Sequence, residues 1–117
     1  MEIQIRGKDV ELDQAIQDYI ESRVLYSLDR FSPRITRVSV QVLDLNGPRG
    51  GQDKGCRIEV QLRPSGRLFV RDVDAHVHAA VDRAVDRLAR VVGRTIEKTR
   101  STSRTVRRSK PRRPRPS

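Results

Sequence analysis

Hydrophobic and polar positions alternate at the start of the chain: Ile3 and Ile5 stand against Gln4 and Arg6. This is the two-residue period of a half-buried strand, expected to end near Gly7. The period then changes. Ile16, Tyr19, Ile20, Val24, Leu28 and Phe31 recur at three- and four-residue steps, the apolar stripe of a helix with one buried face. Asp13 is placed to cap its first turn. Ser32-Pro33 is placed to stop it, because proline disfavours helical geometry in the residue before it. Alternation returns with Val38, Val40 and Val42 against Arg37, Ser39 and Gln41, and again with Ile58, Val60 and Leu62 against Arg57, Glu59, Gln61 and Arg63. The segment 46–53, rich in glycine and polar residues, reads as the loop between these two strands. Pro64-Ser65-Gly66 is a short turn, so the strand from Arg67 to about Val73 should form an antiparallel hairpin with the one before. From Asp74 onward the period is helical, with Val77, Val81, Ala84, Val85, Leu88, Val91 and Val92 as its stripe. Gly93 is a point where this helix is expected to kink or fray, because glycine costs roughly 1 kcal/mol relative to alanine in a helix interior. The helix is expected to end at about Lys98.

The order β-α-β-β-β-α predicts an α+β fold. It should be a two-layer sandwich, with two helices on one face of a four-stranded, mostly antiparallel sheet and the other face open. The open face should carry Arg6, Arg37, Arg57, Arg63, Arg67 and Arg71, with Glu59 as its main acid and Phe69 a candidate for the same side. Residues 1–98 form the expected domain. Residues 99–117, where Ser, Thr, Arg and Pro dominate, form an expected disordered tail.

Charge sharpens this division. The chain has 117 residues and a formal charge of +10. Met1 to Gly93 holds 15 Lys and Arg against 14 Asp and Glu, a net of +1, whereas Arg94 to Ser117 holds 10 against Glu97 alone, a net of +9. A balanced domain joined to a polycation points to a polyanionic partner: RNA, DNA or an anionic membrane. The other account, a solubilising tail without a partner, fits arginine poorly. On the second helix, Arg83, Arg87, Arg90 and Arg94 recur at three- and four-residue spacing, and Lys98 extends the row. Such a stripe suits phosphate contacts, since guanidinium groups fork onto phosphate oxygens. The competing structural account is that Asp82 and Asp86 pair with Arg83, Arg87 or Arg90 along the helix.

Other chemistry is poorly represented. The single cysteine, Cys56, excludes an internal disulfide and any multi-cysteine metal site, and reads as a small core or edge residue. His76 and His78 are two apart and do not share a helix face, and no carboxylate–histidine spacing suggests a metal site. No cofactor, small-molecule substrate or catalysis is expected. No apolar run approaches the roughly 18 residues of a membrane span. The N-terminus has no basic segment leading into an apolar one, so a reducing cytoplasmic setting is expected.

Two segments carry a resemblance to a known family. Ile5-Arg6-Gly7-Lys8-Asp9-Val10-Glu11-Leu12-Asp13-Gln14-Ala15-Ile16 and His78-Ala79-Ala80-Val81-Asp82-Arg83-Ala84-Val85-Asp86-Arg87-Leu88-Ala89-Arg90 resemble, at the right separation, the opening strand-to-helix segment and the second helix of the bacterial ribosome hibernation-promoting factor and ribosome-associated inhibitor family. The resemblance covers about residues 2–98. It implies the short type of that family, with a fold like the double-stranded-RNA-binding arrangement, which reads shape and phosphate rather than base sequence. It implies a plug in the decoding cleft of the small ribosomal subunit, contacting rRNA and blocking messenger and transfer RNA, with no bond made or broken. Long members add a dimerisation domain that pairs ribosomes. This chain ends before one, so it is expected to be monomeric off the ribosome and not to pair ribosomes unaided.

The expected RNA-binding residues are Arg23, at a basic position of the family, and Arg30 on the first helix, together with Arg83, Arg87, Arg90, Arg94 and Lys98 on the second. Arg100, Arg104, Arg107, Arg108, Arg112 and Arg113 in the tail complete the set. Tyr26 stands where the family often has lysine, and is open to base stacking or to packing. His78 replaces a tyrosine. Two alternatives are a general nucleic-acid chaperone or nucleoid-associated protein that binds through the tail, and a protein-interaction module acting on another ribosome factor.

Overall fold

A computed structural model of the chain describes residues 1–45 and 54–108, with side chains described as far as Lys98. The expected loop 46–53 lies outside the described residues. Elements follow the expected order: β1 (Glu2–Lys8), α1 (Gln14–Leu28), a 3-10 turn (Asp29–Arg34), β2 (Ile35–Asp44), β3 (Lys54–Leu62), β4 (Arg67–Asp74) and α2 (Val77–Arg108). The strands form one sheet in the order β1-β2-β3-β4. β1 runs parallel to β2, and the other two pairs are antiparallel. The parallel pair requires a crossover, and α1 supplies it.

Each helix buries the stripe seen in the sequence. Ile20, Val24 and Leu28 of α1, with Ala80, Val81, Ala84, Val85, Leu88, Val92 and Ile96 of α2, pack against Val38, Val40, Val42, Cys56, Ile58 and Val60 of the sheet. Both helices therefore lie on one face. The Asp13 carboxylate accepts from the Ile16 N–H at 2.9 Å, the cap expected for α1. The turn into β4 closes when the Leu62 N–H donates to the Gly66 carbonyl, and Gly66 has the positive φ that favours glycine.

Three boundaries are corrected. α1 ends at Leu28, before Ser32-Pro33, and the chain continues as a 3-10 turn that accommodates Pro33. α2 starts at Val77, because the Asp74 carboxylate accepts from the N–H groups of Ala75 and His76 ahead of the first turn. At its other end α2 continues to Arg108, through residues that the sequence analysis placed in the tail. Extending an existing helix fixes one residue per added bond, so Ser, Thr and Arg can continue it without a new nucleus, and the next proline is Pro111. Gly93 lies within an unbroken α-helical run, so the helix does not fray there. The extended tail expected at residues 109–117, including Arg112 and Arg113, lies outside the described residues.

Candidate nucleic-acid interface

α2 presents its arginines along the side that borders β4. Arg83, Arg87, Arg90 and Arg94 are all exposed. Neither pairing considered for Asp82 and Asp86 occurs within α2. The anchor is Asp72, on the helix side of β4 in the row Leu68, Val70, Asp72. Its carboxylate, 11% exposed, accepts from Arg83 Nε at 3.2 Å and Arg87 Nη2 at 3.1 Å, and from the Val73 N–H at 2.9 Å. Burial pushes the Asp72 carboxyl up, but those three donors outweigh it and hold the group below its ordinary value. One fixed anion thus orients two half-exposed guanidinium groups, each with donors left for solvent or a ligand.

Arg90 and Arg94 differ. Among the described residues no carboxylate lies within ion-pair distance of either. They face a groove between α2 and β4 that Arg87, Val91, Phe69 and Arg71 also line. Lys98 continues the row, exposed, one turn further. Arg100, Arg104, Arg107 and Arg108 lie on the last turns of α2.

Arg23 does not join this surface. Its Nε donates to Asp82 at 3.0 Å and its Nη2 to Asp86 at 3.2 Å, and the side chain is 26% exposed. Tyr19 Oη donates to the same Asp82 oxygen at 2.5 Å, and His78 packs on the Tyr19 ring with centroids 4.7 Å apart. Arg23 therefore clamps α1 to α2. Burial opposes its charge, but the bonds to Asp82 and Asp86 prevail and keep the guanidinium charged. His78, at the tyrosine position, is a packing residue. Tyr26 is 86% exposed, which leaves it available to a ligand. Arg30 lies over the Phe31 ring at 4.7 Å.

The open face of the sheet carries Arg6, Arg37, Arg57, Arg67 and Arg71, as alternation requires. Arg63 lies past the end of β3, where its Nε donates to Thr36 Oγ1. Arg37 is paired with Glu2 and Arg67 with Glu59. Cys56 is buried in the core, and burial, aided by the Asp72 charge, pushes its thiol up to about 12. No helix among the described residues is long and apolar enough to cross a membrane. Two partnerships were missed in the sequence: Asp72 with Arg83 and Arg87, and Arg23 with Asp82 and Asp86. The first left a signal, since a carboxylate at the third position of an inward row needs a partner. The second left none, because Asp82 and Asp86 had nearer arginines on their own helix.

Comparison with known proteins completes the picture. The family model described as Sigma 54 modulation protein / S30EA ribosomal protein matches residues 3–100. The crystal structure of the Thermus thermophilus Protein Y N-terminal domain is 36% identical to the chain. The match covers 81% of this chain and 99% of that one, with a TM-score of 0.68. A ribosomal subunit interface protein from Coxiella burnetii superposes with a TM-score of 0.71 over 83% of this chain and 99% of that one, at 16% identity, which speaks for the fold alone. No curated protein matches the chain.

Proposed function

Because the chain belongs to the Sigma 54 modulation protein / S30EA ribosomal protein family, we propose that it is a ribosome hibernation factor that occupies the decoding cleft of the small subunit. There it contacts rRNA phosphates and blocks the paths of messenger and transfer RNA. The observation that carries this reading is the arginine row of α2: Arg83 and Arg87 held by Asp72, with Arg90 and Arg94, unpaired among the described residues, in the adjoining groove. A structured RNA offers closely spaced phosphates, and a row of guanidinium forks at helical spacing meets several without reading bases. Rigidity matters, since groups already oriented lose less entropy on binding. Lys98 continues the row, and Arg30 adds a cation from the 3-10 turn after α1, near Ala89 of α2; Arg100, Arg104, Arg107 and Arg108, with Arg112 and Arg113, extend the contact beyond it. The mechanism is steric and electrostatic. The protein acts in the cytoplasm, where its ribosomal partner is.

Sedimentation on sucrose gradients, paired with translation in vitro, tests this. The protein should travel with small subunits or whole ribosomes and inhibit translation. Combined Arg90→Glu and Arg94→Glu should return it to the top of the gradient and abolish inhibition. A wild-type protein that stays at the top at low salt, while binding duplex DNA as well as RNA, would overturn the proposal in favour of a general nucleic-acid binder.

A further inference from the structure

The open sheet face has a chemistry of its own. Strand register sets Arg6, Gln41, Arg57 and Arg71 in one row across the four strands, with Gln4, Ser39, Glu59 and Phe69 in the next. Glu59 is neutralised by Arg67 at 3.0 Å, and Glu2 by Arg37 at 3.3 Å. The excess charge therefore belongs to Arg6, Arg57 and Arg71, which have no carboxylate within ion-pair distance among the described residues. In their midst Phe69 is 54% exposed, and the Arg57 guanidinium lies 5.0 Å from its ring centroid. A shallow depression of about 250 Å³ opens between Arg6, Arg57 and Phe69.

This patch is continuous with the α2 groove. Phe69 and Arg71, on the outer strand β4, line that groove opposite Arg90 and Arg94. A cationic surface therefore wraps from α2 around the β4 edge and onto the sheet. An aromatic ring without a polar tip, ringed by unpaired cations, disfavours a cationic partner and gives a plain apolar one nothing for the charges. An unpaired nucleotide satisfies both: its base stacks on the ring or on the guanidinium plane above it, and its phosphate meets an arginine. A duplex does not, because its bases are already stacked inside the helix.

We propose that Phe69, Arg57 and Arg71 form a stacking site for one unpaired nucleotide of an RNA strand that crosses the β4 edge from the α2 groove onto the open sheet face. The site rests on the RNA partner proposed above, but not on the decoding cleft as its place.

The test titrates the intact chain into a short single-stranded RNA carrying one 2-aminopurine, and into the same strand annealed to its complement. Stacking on an aromatic ring quenches that fluorophore. Wild-type protein should quench the single strand. Phe69→Leu, which keeps an apolar side chain but removes the π-face, should abolish the quench and weaken single-strand binding roughly 5- to 100-fold. It should leave duplex binding unchanged. Phe69→Tyr should behave as wild type, which separates stacking from any effect on folding. Quench and affinity unaltered in Phe69→Leu would overturn the site. Combined Arg90→Glu and Arg94→Glu should weaken binding of both RNAs yet keep the quench at saturation. Unchanged binding of both RNAs by that variant would overturn the path from the α2 groove, and with it the proposal.

Discussion

Asp72 is the residue on which the geometry of the arginine row turns. It lies at the outer strand, on the helix side, and accepts from a backbone N–H and from two guanidinium groups of α2. Those bonds hold its carboxyl below the ordinary value of 3.8. The unfolded chain therefore takes up the proton at a higher pH than the folded one. The stabilisation is complete above about pH 4 and is lost as the pH falls through the folded-state value. Asp72→Asn should lower stability by about 1–2 kcal/mol at neutral pH, the worth of charge-assisted bonds discounted for half-exposed arginines. Urea unfolding across pH checks this. The gap between variant and wild type should narrow steadily below about pH 4, and a constant gap would contradict the account. The inward carboxylate was visible in the sequence as a break in the row Leu68, Val70, Asp72. Its two partners were not, because Arg83 and Arg87 also had acids on their own helix.

At the scale of elements, α1 and α2 are joined by a polar clasp laid over an apolar seam. Tyr19 and Arg23 of α1 both reach Asp82, and Arg23 also reaches Asp86. The bond to Asp82, with burial second, pushes the Tyr19 phenol up, so the tyrosine stays protonated and remains a donor. Arg23→Ala should cost about 0.5–1 kcal/mol, as partly exposed ion pairs do. It should leave the salt dependence of RNA binding as in wild type. Thermal melts and binding isotherms at several salt concentrations measure the two effects, and a reduced salt slope would make Arg23 a phosphate contact as well as a tie. α2 offers an opposite test. A Cβ at Gly93 would meet the Phe31 ring at 3.5 Å, an ordinary contact. Gly93→Ala should therefore stabilise the protein by about 0.5–1 kcal/mol, read as a higher Tm. The helical stripe through Val91, Val92 and Ile96 was legible. That the helix would run on through Gly93 was not, because the buried neighbours that hold α2 there belong to other elements.

For the molecule as a whole, charge is divided between a domain of mixed sign and a C-terminal segment of nearly one sign. Residues 99–117 hold eight Lys and Arg and no acid, and residues 109–117 hold four of the eight. Each cation that displaces a counterion from RNA adds about 0.7–0.9 to the salt slope. Deleting 109–117 and then 99–117 should flatten log K against log salt in two steps of similar size, while both truncated proteins keep the same footprint on rRNA. A footprint that vanished with the first deletion would move site choice from α2 to the tail. The resemblance seen in two short segments thus carries to the whole domain, and α2 joins the two regions in one helix.

The amino-acid sequence alone determined the element order, the inward face of every strand and the stripe of each helix, because these follow from local periods that must bury one side. It also determined the charge asymmetry and the spacing of the α2 arginines. Only the tertiary structure decided which arginines are spent inside the molecule and which remain for a ligand. Arg23 and Asp82 are 59 residues apart, and Asp72 and Arg83 are 11 apart. Ion pairs along a helix are worth only about 0.3–0.5 kcal/mol each, so local spacing leaves several partners nearly equal. Packing α1 and β4 against α2 breaks that tie, by placing one mostly buried carboxylate under Arg83 and Arg87 and, among the described residues, none within ion-pair distance of Arg90 and Arg94.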